Sequence, residues 1–425
     1  MEYYRDHVKL NITPEKKLKA IVVGAGIAGL ATGIALRQSG HDVVILEQVR
    51  EIAEVGAGIQ MAPNNMRILG RFGVLPEILK HCNMMEKNSL RRWQNNEELG
   101  TAPLMPGIAE QYGAPIGVIH RGDLQRVLLE AAKKAGCDIR TDHRVVKADD
   151  DFEARVQLKS GEWVEGDVVV AADGIKSDLR RQIAAHHKVV DQSSPTGDAA
   201  YRILIPKERM EHDPAALELL SQNVGMRWMG PGILDPQRRQ KEMMEFYKDW
   251  CKEVTSLLSY VPEGDVMEWT LNSHRPLPSW HENKVVLIGD ACHPMLPYVA
   301  QGAAQAIEDA AVLQCVLAKS STDVPLAIDV YEQVRKARGE AVQSSAAITR
   351  KALHLPDGPE QQERDRKIKE AAQGRANNPD LWADKEFQQY IWGTDIMQET
   401  FIKWPEWKAR AEGTHLHALA AVMYS

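Results

Sequence analysis

The residues with the clearest chemical meaning form a glycine-rich turn near the amino end. Gly24, Gly26 and Gly29 follow the apolar run 20–23 and precede apolar residues at helical spacing, which predicts a strand, a turn and a helix. In such a unit the first glycine permits the turn, the second lets the backbone approach a pyrophosphate, and the third allows close helix packing. Glu47 ends the next predicted strand, where a carboxylate accepts hydrogen bonds from a ribose diol and repels a 2′-phosphate. The pattern predicts a site for FAD or NAD rather than NADP, although the glycine triplet alone is a weak signal.

A second motif, far along the chain, suits the same kind of ligand. Residues 289–294 read Gly-Asp-Ala-Cys-His-Pro, follow another apolar run and precede a predicted helix from about Gly302 to Lys319. Either motif alone is weak evidence for a cofactor site, but together they suggest one flavin dinucleotide held at both ends. Arg121 stands just before another predicted helix, where it would either reach a phosphate or cap an acidic residue. Gly58 lies in a glycine-rich loop that is equally consistent with a plain turn.

The composition is typical of a sizeable soluble enzyme. With 425 residues, 44% of them hydrophobic, the chain is expected to form two or three domains. The formal net charge of −7 argues against a general binder of nucleic acid or anionic membranes. No apolar run reaches the roughly 18 residues that span a bilayer, and the amino end is too charged for a secretory signal. The five cysteines are scattered, so we expect no disulfide framework, no metal site and a cytoplasmic location.

The order of the predicted elements indicates an α/β fold with a discontinuous arrangement. We expect a Rossmann-like FAD-binding domain, a second α+β domain for the substrate and a helical carboxyl-terminal region. The predicted segments are an N-terminal extension at 1–17, the FAD-binding domain at 18–84, 113–183 and 273–350, the substrate domain at 85–112 and 184–272, and the helical region at 351–425.

Three motifs, taken in order, resemble those of single-component FAD-dependent aromatic hydroxylases. They are the first glycine turn, Asp173-Gly174 with Ser177 and Arg180, and Gly289-Asp290. Further stretches are similar to the salicylate hydroxylase-like branch, particularly its fungal members. These stretches are Tyr201-Arg202, Pro297, Gln301-Gly302, Glu308-Asp309, residues 355–361 and Arg364-Asp365. The resemblance covers roughly residues 18 to 400.

This resemblance implies a glutathione-reductase-type FAD fold and hydroxylation of a small phenolic or aromatic-acid substrate. NADH or NADPH would reduce the flavin, which would carry O₂ to the ring as a C4a-hydroperoxide. For a hydroxybenzoate, attack at the carboxylate-bearing carbon would expel CO₂. The branch suggests a role in secondary metabolism, and a monomer or homodimer is expected.

The resemblance also implies which residues contact the flavin. The Asp290 carboxylate would bind the ribityl hydroxyls, unless it caps the following turn. Asp173 and Gly174 would serve both the flavin and the nicotinamide. The helix beginning near Gly302 and Ala303 would aim its amides at the flavin pyrimidine edge, where negative charge accumulates on reduction.

Candidates for contact with the substrate are fewer. The apolar segment 295–299, with Pro297, would supply a dry wall or form an ordinary loop. Arg202 would anchor an anionic substrate, because a guanidinium matches a carboxylate or phenolate; a surface ion pair is the alternative. His293 would relay a proton or hydrogen-bond near the ring, unless it is a structural histidine.

One segment departs from the family pattern. After Gly232, relatives continue into a strand with a Tyr-Pro pair and a second strand, whereas this chain passes through Ile233 into a predicted helix. A hairpin that floors the substrate pocket is therefore predicted to be missing, together with a tyrosine that some relatives use near the phenol. The substrate domain is then either rebuilt or defective. The alternatives to hydroxylation are an epoxidase or oxidase of the same fold, or a catalytically impaired FAD-binding protein.

Overall fold

The computed structural model describes residues 4–5, 8, 10, 12–52, 56–191, 194–231, 240–262 and 267–423. The strands in these ranges are β1 (Lys19–Val23), β2 (Asp42–Leu46), β3 (Gly58–Met61), β4 (Lys87–Arg92), β5 (Glu98–Pro103), β6 (Gly117–His120), β7 (Asp138–Arg140), β8 (Val145–Ala148), β9 (Arg155–Leu158), β10 (Trp163–Glu165), β11 (Val168–Ala171), β12 (Ser194–Arg202), β13 (Val224–Met229), β14 (Met267–Ser273), β15 (His281–Glu282) and β16 (Val285–Leu287).

The α-helices in the same ranges are α1 (Ile27–Gln38), α2 (Pro63–Arg71), α3 (Leu75–Leu79), α4 (Gly107–Tyr112), α5 (Arg121–Lys134), α6 (Asp178–His186), α7 (Pro214–Ser221), α8 (Gln240–Tyr247), α9 (Lys252–Ser259), α10 (Gly302–Lys319), α11 (Val324–Leu353), α12 (Pro359–Ala372), α13 (Lys385–Trp392), α14 (Ile396–Ile402) and α15 (Trp404–Met423). Short 3₁₀ turns include Gly174–Lys176, Gly289–Ala291 and Pro297–Val299. None of the helices described here is long and apolar enough to cross a membrane.

Six strands form the central sheet, in the order β15-β16-β11-β1-β2-β7. From β16 to β7 the neighbouring strands run parallel, whereas β15 is antiparallel to β16. β11 and β16 are wholly buried and made of valine, leucine and alanine, as expected for strands covered on both faces. Because the carboxyl ends of parallel strands share one edge, the loops after β16, β11, β1 and β2 lie side by side.

Helices α1 and α10 pack against each other beside this sheet. α10 is rich in alanine, and every residue from 304 to 318 is buried. A helix that is apolar on nearly all sides must be enclosed, and small side chains allow close approach of its neighbours. The Gln314 amide joins the two helices by donating to the Ala35 carbonyl at 2.8 Å.

Smaller sheets lie beyond the central one. β13-β4-β5 form one three-stranded sheet, and β12 pairs with β14 in another sheet of two strands. These strands fall in the segments expected to form the substrate domain. The predicted missing hairpin concerns the junction from Gly232 to Ile233, which lies outside the described residues. On its two sides, β13 ends at Met229 and α8 begins at Gln240.

The carboxyl-terminal helices pack against the rest of the chain, with α13 against α2 and α14 against α10. Arg71 of α2 makes two hydrogen bonds to the carboxylate of Asp395, at 2.7 and 2.5 Å. Trp382 and Trp392 contact each other edge to face, with ring centroids 5.8 Å apart. The five cysteines are all free thiols. The fold is the α/β fold expected from the sequence, with a helical carboxyl-terminal region.

Candidate functional site

Four adjacent strand ends carry the predicted flavin-binding residues. Gly24 follows β1, Glu47 follows β2, Asp173 follows β11 and Asp290 follows β16. Strands in a sheet lie about 4.8 Å apart, so three steps from β2 to β16 span about 14 Å. The two distant sequence motifs therefore open on one edge, over a length suited to one extended ligand.

The first glycine turn has the backbone that a pyrophosphate site requires. Gly24 adopts φ +102°, and an added Cβ would lie 2.6 Å from the Ala172 carbonyl oxygen. A Cβ at Gly29 would overlap the carbonyl oxygen of Gly24, so the helix and the turn touch directly. Gly26 has open space around it and forms an N-cap without a side-chain hydrogen bond. The amides that begin α1 thus face open space, where a phosphate can accept from them.

A cavity of about 710 Å³ lies against this turn and is lined in part by Gly26, Glu47, Arg121 and Asp173. The Glu47 carboxylate accepts from the backbone N–H of Ala25 at 2.7 Å and of Val49 at 3.0 Å. These bonds shape the turn, and a carboxylate retains lone pairs for further donors. Glu47 is therefore both part of the turn and exposed to a ligand in the cavity.

Arg121 is held beside the same cavity by the loop before β3. Its stem lies against Gly56, where an added Cβ would come within 3.0 Å of the Arg121 Cβ. Gly58 pairs with His120, the residue preceding Arg121. Desolvation raises the pKa of Asp290, and the positive charge of Arg121 opposes this rise. Burial lowers the pKa of Arg202, and the charge of Arg121 lowers it further.

Asp173 has one oxygen engaged and one without a partner. Its Oδ2 accepts from the backbone N–H of Asp178 at 3.0 Å and of Leu179 at 3.5 Å, at the start of α6. Its Oδ1 is buried and has no hydrogen-bond partner. Burial raises the pKa of this carboxyl. Gly174 follows with φ +74°, which turns the chain into the cavity lining.

Gly289, which begins the second motif, packs between α1 and α10. Gly289 adopts φ +58°, and an added Cβ would lie 3.1 Å from the Ala28 Cβ and 3.4 Å from the Ala306 Cβ. Its backbone N–H donates to Asp309 Oδ2 at 2.9 Å. Asp290, the next residue, has an exposed side chain; desolvation by nearby protein atoms raises its pKa, and the charges of His293 and Arg121 oppose the rise.

The start of α10 is also free to receive a ligand. Its N-cap, Gln301, makes no capping side-chain bond, because the Gln301 oxygen accepts from Asn64 at 3.0 Å instead. The amides at Gly302 and Ala303 are therefore not capped by that side chain, and a helix N-terminus favours a negative partner. Pro297 is exposed in the 3₁₀ turn just before this helix.

Two residues of the 295–299 segment, Leu296 and Val299, do not form the predicted apolar wall that would exclude water from the cleft. Leu296 and Val299 are buried in a cluster with Val342 and Ala346 of α11. They anchor the loop, and this leaves Pro297 and Tyr298 at the cavities. The sequence pattern did not separate these positions because a 3₁₀ turn points successive side chains in different directions.

His293 lies in the interior, with 1% of its surface exposed. Its Nε2 is 2.7 Å from Asp309 Oδ2, and its ring lies 5.2 Å from that of Trp280. Asp309 also accepts from Arg335 Nε at 2.7 Å. This geometry matches the structural alternative for His293 rather than contact with a substrate ring.

A buried ionic cluster behind the motif was missed by sequence reasoning. Arg335 donates to Glu308 at 2.6 Å and to the Gln305 side chain at 2.8 Å. Arg338 donates to both Glu308 oxygens, at 2.7 and 2.8 Å. Burial raises the pKa of Asp309, but the charges of His293 and Arg335 outweigh it and lower that pKa to about 2. Polar residues spaced along predicted α10 and α11 were the available signal, but their pairing required the packed helices.

A second cavity of about 880 Å³ adjoins β12, α8 and the end of α11. Its aromatic lining includes Tyr201, Phe246, Tyr247, Trp250 and Tyr298, and its polar lining includes Asp198, Arg350, Lys351 and His354. A third cavity of about 360 Å³ shares Tyr298 and His354 with it and also contains Pro297. The aromatic lining of the larger cavity, here called the aromatic wall, is therefore linked through Tyr298 to the 3₁₀ turn Pro297–Val299, which precedes α10.

Arg202 is the last residue of β12 and is half-buried. The four residues before it in the strand, from Asp198 to Tyr201, all line the cavity. Burial and the nearby charge of Arg121 lower the pKa of Arg202.

The residues along the strand edge fit FAD. The open backbone at Gly26, the unpartnered Asp173 Oδ1 and the N-terminus of α10 provide donors and acceptors along one line. Along this line, backbone amides lie near the expected pyrophosphate position and carboxylates lie near the expected positions of the hydroxyl groups. This order matches the order of the same groups in FAD.

Comparisons with known proteins agree with this geometry. A family model described as FAD binding domain matches residues 17–346. The FAD-dependent monooxygenase OpS4 of Beauveria bassiana is 33% identical over 412 residues, covering 89% of this chain and 96% of that protein. The 3-hydroxybenzoate 6-hydroxylase 1 of Aquipseudomonas alcaligenes is 32% identical over 357 residues, covering 76% and 86% respectively.

A salicylate hydroxylase solved as a substrate complex shares the fold, with a TM-score of 0.71 and 24% identity over 90% of this chain and 97% of that one. The matches extend across both the flavin-binding edge and the β12 region. The chain therefore belongs to the single-component FAD-dependent aromatic hydroxylases and is a FAD-dependent monooxygenase.

Proposed function

We propose that this enzyme hydroxylates a phenolic or aromatic-acid substrate, with NADH or NADPH as reductant and O₂ as oxidant. The observation that carries the proposal is the aromatic cavity of about 880 Å³, whose lining includes Tyr298 of the 3₁₀ turn that precedes α10. Its volume is near the upper end of the roughly 300–1,000 Å³ of ordinary ligand pockets. It therefore accommodates more than one ring, which suits a polycyclic or substituted phenol as well as a simple benzoate.

Bound FAD would supply the electron transfer from the nicotinamide and the activation of O₂. The chain's part is to hold it: Gly26 and the start of α1 at the pyrophosphate, Glu47 at the ribose and Asp290 at the ribityl hydroxyls. The start of α10, at Gly302, stabilises negative charge on the ring. We assign His293 a positioning role, because through Asp309 it orients the loop that carries Asp290.

Arg202 anchors the acidic group of the substrate, since a guanidinium forms a paired hydrogen bond with a carboxylate or phenolate. The aromatic side chains Tyr247 and Trp250, whose ring centroids are 4.8 Å apart, stack with the substrate ring and exclude water. Water exclusion matters because it prevents unproductive breakdown of activated oxygen.

The test begins with the purified protein. We expect a yellow holoenzyme with one FAD for each chain and faster NADH or NADPH oxidation when a hydroxybenzoate or polyketide-type phenol is added. Mass analysis should show one added oxygen, or its addition with loss of CO₂. Rapid reductant oxidation that yields only hydrogen peroxide with every phenol would contradict hydroxylation and favour the catalytically impaired alternative.

A further inference from the structure

His354 occupies a position that the flavin-binding motifs do not explain. It follows the last residue of α11 and lines both the cavity of about 880 Å³ and the smaller one of about 360 Å³. Its ring lies edge to face with Tyr298, with centroids 5.3 Å apart. Because Tyr298 follows Pro297 in the 3₁₀ turn, His354 faces the region between the aromatic wall and the flavin-binding edge.

The imidazole is held by an aromatic contact, because its ring lies edge to face with that of Tyr298. A neutral imidazole has one donor nitrogen and one acceptor nitrogen, so one ring nitrogen can accept a proton in either tautomer.

The surroundings of His354 favour the neutral ring. Its side chain keeps an exposed edge, but desolvation by the protein around it is the largest effect and lowers its pKa; Asp198 and the Gly230 carbonyl raise the pKa, and Arg350 and Arg364 lower it. The other titratable groups lining the larger cavity near it are Tyr201, Tyr247, Tyr298, Lys351 and Glu360. A histidine that is unprotonated near neutrality is suited to accept a proton.

Tyr298, the adjacent phenol, is not suited to this task. Its hydroxyl donates to Asp198 at 3.4 Å, and burial followed by the Asp198 charge raises its pKa. Asp198 itself is occupied by Arg350, which donates to it at 2.6 Å. Among the described residues that line the larger cavity, His354 is thus the group best able to act as a base near neutral pH.

We propose that His354 is the general base that removes the phenolic proton of the substrate before hydroxylation. The inference rests on the proposed function. The substrate O–H bond breaks, an N–H bond forms on the free imidazole nitrogen, and the electron pair remains on the phenolate oxygen. The resulting negative charge enriches the ring for attack by an electrophilic oxygen, and the imidazolium later returns its proton to solvent.

The test uses the holoenzyme and the variants His354→Gln and His354→Asn, whose amides keep a polar side chain but do not take up a proton near neutral pH. The matched control is His187→Gln, an exposed histidine at the end of α6 that pairs with Glu282. We expect kcat/KM of the two His354 variants to fall by about 100-fold or more, the typical scale of general base catalysis. The acid limb of the wild-type pH profile, expected below pH 6.5 because burial lowers the pKa, should disappear. The control should match the wild type.

A second measurement separates catalysis from damage to the fold. The pH at which a bound nitrophenol becomes phenolate, followed by its absorbance, should rise in both variants at unchanged FAD content. The kinetic defect should shrink for phenols with electron-withdrawing groups, which ionise without help. Unchanged pH profiles and nitrophenol ionisation in the variants would overturn the role of His354 and leave the proposed function standing. A wild-type holoenzyme that hydroxylates no phenol would overturn both.

Discussion

Replacing Arg335 with methionine tests whether the buried ionic cluster holds the second flavin motif in place. Arg335 is fully buried, and its guanidinium joins Asp309, Glu308 and Gln305. A methionine side chain is similar in length to that of arginine, but the substitution removes one positive charge from beside the carboxylates of Glu308 and Asp309. Asp309 would keep only His293 and the Gly289 N–H among these partners.

The expected loss follows from burial and pairing. Breaking a buried ion pair by removing one partner costs about 3–5 kcal/mol, because the other charge remains desolvated. Net stabilities are about 5–15 kcal/mol, so the variant should still fold but with a markedly lower denaturant midpoint. Because Asp309 bonds to Gly289, we also expect FAD to dissociate more readily.

The assay is guanidinium unfolding of the holoenzyme, followed by tryptophan fluorescence, together with release of flavin fluorescence. Arg335→Lys should recover part of the loss, since it restores the charge but not the paired geometry. The control is Arg366→Met, because Arg366 is an exposed arginine that also contacts two glutamates, Glu363 and Glu370. Equal midpoints and equal FAD release for the Arg335 and Arg366 variants would refute the reasoning.

The remaining predictions concern the ligand-binding residues and pH. Asp290→Ala should lower the FAD content of the purified protein, measured by the ratio of flavin to protein absorbance; full occupancy would remove Asp290 from the flavin site. Arg202→Ala should raise KM for an acidic substrate by about 10- to 100-fold, as expected for a hydrogen bond between charged groups, with little change for a neutral phenol. An equal effect on both substrates would exclude the anchoring role. Burial lowers the pKa of His41 to about 4, so its contribution to stability is complete above pH 6.5 and is lost as pH falls toward 4, by about 3 kcal/mol. His41→Gln should flatten the pH dependence of unfolding in that range, and an unchanged slope would show that another group titrates there.

The fold class and the binding of FAD were readable from local sequence. A tight turn that needs positive φ at Gly24 is encoded by the glycine itself, and the predicted helix from Gly302 to Lys319 has the bounds found in the structure. These features depend on interactions within a few residues of the chain. Residue type and spacing are therefore sufficient to predict them.

The residues that would contact the substrate were much less predictable from the sequence. His354 was not among the candidate residues, and His293 was proposed as catalytic although it is buried against Asp309. Both outcomes depend on contacts between separate elements, of His293 with Asp309 in α10 and of His354 with Tyr298. Side-chain contacts between elements leave no periodic signal in one sequence.

The sequence alone indicated a dinucleotide-binding strand-turn-helix unit and suggested that a second aspartate motif serves the same ligand. Only the tertiary structure decided that β1 and β16 lie two strands apart, so that Gly26 and Asp290 face one edge. It also decided that Arg335 supports Asp309 and that His354 reaches the aromatic cavity. The physical reason is that backbone conformation is set by neighbouring residues, whereas side-chain partners are set by the packing of whole elements.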